Sequence, residues 1–187
     1  SEVRYQRKNI KRLSKKYGGL IGGGKEGKVG YNITMVIAYI REFFVPQGIL
    51  GETLETAVPW SKINQVKDEA NKLLIELHKK YNLPGKPFFC SRVSKVYHSG
   101  ICMYNTVAIN VRGIDKPDEV FSKIEHALRD CFIKNGGSIS HHHGVGKLRK
   151  DFMQDTISGG SIEMIQNIKN SQDPNNIFGI KNNIVSD

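Results

Sequence analysis

From residue 49 onward the apolar and polar positions fall into legible periods. "ILGETLETAV" (49–58) alternates as a half-buried strand does. In "PWSKINQVKDEANKLLIELHKKYN" (59–82), Ile63, Val66, Ala70, Leu73, Leu74 and Leu77 recur at helical spacing, with Pro59 and Ser61 as start signals. "PFFCSRVSKVY" (87–97) and "ICMYNTVAINV" (101–111) read as two strands joined by the tight turn "HSG" (98–100). A second helix starts at Pro117 and Asp118, and Val120, Ile124, Leu128 and Cys131 form its buried stripe. "NGGSIS" (135–140) predicts a turn and a short last strand.

The order strand, helix, strand, strand, helix, strand predicts an α+β fold, a ferredoxin-like split βαβ antiparallel sheet with both helices on one face. Along the third strand, Ile101, Met103, Val107, Ile109 and Val111 point one way and suit a helix-covered core. Cys102, Tyr104, Thr106, Ala108 and Asn110 point the other way. That second set is small and polar apart from Tyr104, which predicts the floor of a cavity with Tyr104 standing on it.

Before residue 49 the pattern is less regular. "SEVRYQRKNIKRLSKK" predicts a basic helix with a solvated charged face, "GGLIGGGKEGKVG" (18–30) a surface loop, and "YNITMVIAYIREFF" (31–44) an apolar helix or extended segment. The glycine-rich stretch is not a phosphate-binding loop. Glu26 stands where a magnesium-holding Ser or Thr is needed, and a basic helix rather than a buried strand precedes it. Arg41 sits among apolar neighbours and must find an anion, either a carboxylate such as Glu52 or Glu55 or a substrate phosphate.

Composition adds modestly to this. With 39% hydrophobic and 25% charged residues in 187, one folded domain or a large piece of one is expected. No stretch approaches the roughly 18 to 20 apolar residues of a membrane span. A net charge of +10 favours anionic partners, from phosphates to a membrane surface. Nucleic acid is not the expected partner, since no recognition motif or aromatic–basic platform is seen. The three cysteines, Cys90, Cys102 and Cys131, match no zinc or disulfide spacing and are expected as reduced thiols.

The densest chemistry lies in "SISHHHGVGKLRK" (138–150). Gly144 and Gly146 allow a tight turn, and a helix is expected to begin near Val145, with His141, His142 and His143 at its positive end. Such a setting keeps an imidazole neutral and ready for proton transfer. No metal is expected, because adjacent histidines in extended chain point alternately and no HExxH or CxxC accompanies them.

"GGSISHHHGVGKLR" and, further on, "DPNNIFG" resemble the C-terminal region of flavin-linked oxidases of the vanillyl-alcohol oxidase type. Within these, the triple histidine, "MVIAYIREFF", "GETLETAVPW" and "CSRVSKVYHSGICMY" are similar to the alkyldihydroxyacetonephosphate synthase family. The resemblance runs from about Gly18 to about Asn183. It implies a peroxisomal enzyme of ether-lipid synthesis that replaces the acyl group of acyl-dihydroxyacetone phosphate with a long-chain fatty alcohol. FAD would serve without net redox, as a covalent trap for the substrate carbon. Tyr104 matches the acid/base tyrosine, which needs a positive neighbour to act near neutral pH. His141, His142 and His143 match the active-site histidines, with His142 placed at the exchanging oxygen. Arg41 matches a substrate arginine and is assigned the phosphate. His143, Asn175 and Asn176 are expected near the flavin.

The resemblance also implies a division of the chain. Residues 1–48 lead into a substrate cap at 49–140, and 141–187 carry the histidine turn, C-terminal helices and flavin-proximal tail. An N-terminal FAD-binding domain is expected to be missing, so that a fragment of this length would bind little flavin and turn nothing over. Peripheral membrane association and a homodimer are further expectations. Two other readings compete. Related 2-hydroxy-acid dehydrogenases carry metal-binding histidines where Tyr97 and Tyr104 stand and a glutamate where His142 stands, with His98 the residue that a one-position slip would bring in. The other is a non-catalytic basic module that binds an anionic partner.

Overall fold

The structure, a computed structural model, describes residues 1–179 apart from the side chains of residues 37 and 38. The end of the expected flavin-proximal tail, beyond residue 179, lies outside the described residues. The chain divides into two units, Ser1–Phe44 and Val45–Asp187.

In the first unit, α1 (Glu2–Lys16) buries none of its residues, as its charge pattern predicts. Helix α2 (Gly24–Phe44) begins inside the glycine-rich stretch, so residues 24–30 are helical rather than loop. The reason is local: the Glu26 carboxylate reaches back to accept from the Gly23 N–H at 2.6 Å, satisfying a donor that the helix start leaves free. The apolar segment is therefore helix, and Arg41 lies exposed in its last turn.

The second unit contains β1 (Ile49–Pro59), α3 (Ile63–Lys80), β2 (Phe88–Val96), β3 (Gly100–Asn110), α4 (Pro117–Lys134) and α5 (Gly159–Gln172). The sheet order is β1-β3-β2, antiparallel throughout, so β3 fills the gap between the strands that flank α3. Val66, Ala70 and Leu74 of α3 and Ile124, Leu128 and Phe132 of α4 pack on Leu54, Ile101, Met103, Val107 and Ile109. Each fully buried aliphatic of this set contributes about 1.5–3 kcal/mol. Asn105 shares their buried face without cost in unpaired groups: its Nδ2 donates to the Leu54 carbonyl at 3.1 Å and its Oδ1 accepts from Ser91 at 2.6 Å.

Three departures from the sequence reading bear on the site. Helix α3 starts after a single 3₁₀ turn (Trp60–Lys62), because β1 runs on to Pro59 and Ser61 makes no cap. The expected fourth strand is absent from the described sheet. Ser138 alone docks on the outer edge of β1, donating its N–H to the Ala57 carbonyl and accepting the Ala57 N–H on its own Oγ, both at 2.9 Å. A hydroxyl thus takes the place of the next strand's carbonyl, and the chain is free to bend away. Finally, no α-helix begins near Val145. Gly144 and Gly146 both have left-handed backbone (φ +77° and +54°), and the segment continues as turns into a 3₁₀ turn at Lys150–Phe152.

Candidate active site

Residues paired across antiparallel strands lie on one face, so the register puts Glu55 beside Tyr104, Ala57 beside Cys102 and Arg92 on the other flank of Tyr104. These stand on the sheet face away from α3 and α4, where the sequence placed Tyr104. The histidine turn covers them.

What holds that turn is Glu55, buried at 3% exposure. Its carboxylate accepts three successive backbone N–H groups, from His141 (2.5 Å), His142 (3.2 Å) and His143 (3.0 Å), together with the Ser140 hydroxyl (2.8 Å). Burial acts to raise the Glu55 carboxyl. The N–H of His143, the Ser140 hydroxyl and the N–H groups of His142 and His141 outweigh it and hold the group below its usual range. The amides expected to begin a helix are used instead to wrap an anion.

The imidazoles then fall over Tyr104. The His142 ring stacks on the phenol at 5.9 Å between centroids, and His143 meets it edge-on at 5.6 Å. The Arg92 guanidinium lies 4.5 Å from the centroid of the phenol, a cation over the ring face. The Tyr104 hydroxyl donates to Thr53 Oγ1 at 3.2 Å. His141 Nε2 lies 2.7 Å from the Tyr97 hydroxyl, and the Trp60 indole N–H, shared between the carbonyls of Tyr97 and His98, pins that end of the hairpin. His98 itself is an exposed turn residue.

Burial holds the His143 imidazole below the ordinary histidine range, against the pull of Glu55 and with help from His142 and Arg149. This direction favours the neutral form, and its cause is burial and not a helix end. Arg149, itself buried, donates to the Gly144 carbonyl at 3.1 Å and fixes the far side of the turn. Ile139, Phe152 and Met153 form a small separate core beneath it.

The argument against a metal also needs correction. His141 and His142 do not point apart: their Nδ1 atoms are 3.0 Å from each other, and Cys102 Sγ is 4.0 Å from the second of them. Sharing one bound carboxylate bends the backbone enough to bring neighbouring rings together.

The remaining expected residues belong to other segments of the chain. Asn175 and Asn176 belong to the turn after α5, which Asp173 organises by accepting the N–H groups of Ile177 and Phe178, both at 2.9 Å. Among the described residues no hydrogen bond joins either asparagine to the histidines. Arg41 belongs to the first unit. Sequence reasoning passed over Arg92 and Arg149, gave Cys102 on the cavity floor and Tyr97 at the hairpin no role in the site, and considered Glu55 only as a partner for Arg41. The strand alternation carried the missing signal, since Thr53, Glu55 and Ala57 share the parity that faces Tyr104.

The profile of the family described as FAD linked oxidases, C-terminal domain, matches residues 26–180. The chain belongs to that family. It is 38% identical over 181 residues to the alkyldihydroxyacetonephosphate synthase of Caenorhabditis elegans, a match that covers 97% of this chain and 30% of that protein. The synthase of Dictyostelium discoideum is 26% identical over 155 residues, covering 83% of this chain and 25% of its own length. Among solved structures, alkyldihydroxyacetonephosphate synthase in its P212121 crystal form has the same fold, with a TM-score of 0.62 at 19% identity over 92% of this chain and 28% of that one. The chain thus spans about a third or less of the length of these relatives.

A flavin-oxidase C-terminal domain must offer polar groups to the edge of an isoalloxazine. The residues present fit that demand. Asn176 Oδ1 is buried without a hydrogen-bond partner, and the His143 imidazole adds polar ring nitrogens of its own.

Proposed function

We propose that the full-length protein is an alkyldihydroxyacetonephosphate synthase. It takes acyl-dihydroxyacetone phosphate and a long-chain fatty alcohol and releases alkyl-dihydroxyacetone phosphate and a fatty acid. The observation that carries this reading is the convergence of Tyr104 with His142 and His143 on one open sheet face, in a chain 38% identical to a synthase of that name.

FAD, when bound, would supply an electrophilic centre for the substrate carbon, with His143, Asn175 and Asn176 the residues of this chain turned toward it. The chain's own residues manage protons. Tyr104, beside the Arg92 cation, removes the proton from the substrate carbon and later returns it. His142 carries a proton at the exchanging oxygen: the carbon–oxygen bond to the acyl group breaks, the bond to the alcohol oxygen forms, and the alcohol's proton is balanced by release of the acid. His141 and His143 complete the relay, and His143 with Asn176 and Asn175 faces the cofactor. The phosphate is assigned to Arg41 on the chemistry of its guanidinium. Peroxisomal residence, peripheral attachment to a membrane surface and pairing of two copies belong to the same reading; the net charge of +10 supports the second.

The test is the stoichiometry of the flavin-loaded full-length protein with ¹⁸O-labelled alcohol. One labelled ether should form per fatty acid released, with no oxidant consumed. Reduction of an electron acceptor without ether formation would instead identify an oxidative enzyme. In the same assay Arg41→Leu should raise the KM for the phosphate substrate about 10- to 100-fold, the worth of a charged hydrogen bond. An unchanged KM would remove Arg41 from the phosphate.

A further inference from the structure

We propose that Cys102, His141 and His142 form a binding site for a zinc-type divalent metal ion, and that an ion held there switches off proton transfer by the histidine turn. The switch rests on the function proposed above; the site does not.

Cys102 Sγ, one ring nitrogen each of His141 and His142, and a Glu55 oxygen all lie within 4.8 Å of one another. A tetrahedral zinc ion, about 2.0–2.3 Å from its N and S ligands, sets those ligands on the order of 3–4 Å apart. The Nδ1 pair at 3.0 Å and the Cys102–His142 approach at 4.0 Å span that range. The donors are also held before any ion arrives. Cys102 is fully buried on β3, and Glu55 fixes the backbone from which both rings spring. The Tyr97 hydroxyl sits on His141 Nε2, the far nitrogen, where metal-bound imidazoles take a second hydrogen bond. With Tyr97 accepting, Nδ1 presents a lone pair.

Charge and softness agree. The Cys102 thiolate and the Glu55 carboxylate together balance a divalent ion, and a thiolate with two imidazoles selects zinc over magnesium or calcium. Three protein ligands leave one position open. Without metal, the two Nδ1 atoms at 3.0 Å share the one proton of His142; binding moves that proton to His142 Nε2 and releases only the thiol's proton to solvent. An imidazole whose lone pair is committed to an ion cannot take up a proton, which is why occupancy stops exchange. The site differs from the hairpin histidines that a hydroxy-acid dehydrogenase would need, because Tyr97 and Tyr104 stand at those positions.

The experiment titrates Co²⁺ into full-length, flavin-loaded protein stripped by a chelator, reading difference absorption to the red of the flavin. One Co²⁺ per chain should give the intense bands of a tetrahedral ion with sulfur-to-cobalt charge transfer, displaced by one equivalent of Zn²⁺. Cys102→Ser should abolish the charge transfer and weaken binding beyond the roughly 10- to 100-fold that loss of a supporting hydrogen bond costs. Cys90→Ser and Cys131→Ser should keep both. If Cys102→Ser does not fold, His141→Gln must show the same weakening. Absence of stoichiometric binding, an octahedral spectrum, or a spectrum unchanged in Cys102→Ser overturns the site. Zn²⁺ should suppress alkyl exchange over the same titration, and binding without suppression overturns the switch. Tetrahedral Co²⁺ in a protein that shows no exchange when metal-free would count against the proposed function while upholding the site.

Discussion

Glu55 decides the geometry of the site, and it was the residue hardest to read from the chain. On a strand that alternates apolar and polar positions, a glutamate on the polar face is ordinarily a solvated charge. Here it meets N–H groups 86 to 88 residues away, a pairing that no local pattern announces. Tyr104 and the three histidines were legible because their types and spacing are unusual, whereas the group that brings them together was not. Glu55→Gln sets an amide NH₂ against some of those donors and should destabilise the fold by about 1.5–3 kcal/mol in thermal or denaturant unfolding. The pH dependence follows from the depressed carboxyl. Its stabilisation is complete above the ordinary carboxylate midpoint of 4.5 and is lost as pH falls through the lower folded value, so wild type should show an acid-induced loss that Glu55→Gln lacks. Equal stability of the two proteins across the acid range would contradict the anchoring role.

Elements with a strong period were legible and those set by close approach were not. Of the stripes that spacing named, Val66, Ala70 and Leu74 of α3 and Ile124, Leu128 and Cys131 of α4 are buried, Ile63, Leu73, Leu77 and Val120 pack partly buried against them, and the hairpin partners its two strands as expected. The fourth strand and the helix near Val145 failed because a hydroxyl substitutes for a strand carbonyl and two left-handed glycines forbid a helix. The hairpin turn shows the same principle at Gly100, where an added Cβ would overlap the Val58 carbonyl on the neighbouring strand. Gly100→Ala should therefore cost about 1–3 kcal/mol of stability and loosen the end of the hairpin that carries Tyr97. Hydrogen exchange should report it as faster exchange confined to the closing pairs of β1 and β3. An unaltered exchange pattern would show that the backbone shifts without strain.

At the scale of the molecule, one sheet face is filled by helices and the other carries chemistry. Helices α3 and α4 give the sheet rigidity, and the register of β1 on β3 converts that rigidity into a fixed distance between a phenol and a set of imidazoles. The first-unit residue Arg41 and the turn bearing Asn175 and Asn176 were named from family resemblance, not from a pattern of burial or spacing, which is why their roles stand on chemistry. The central claim is that Tyr104 handles the substrate proton beneath the histidine turn. It is tested most directly by Tyr104→Phe in the flavin-loaded full-length protein, with deuterium wash-in at the reacting substrate carbon followed alongside ether formation. The account predicts that both fall by about 10²-fold or more while the flavin spectrum is unchanged; wash-in and exchange at the wild-type rate would contradict it.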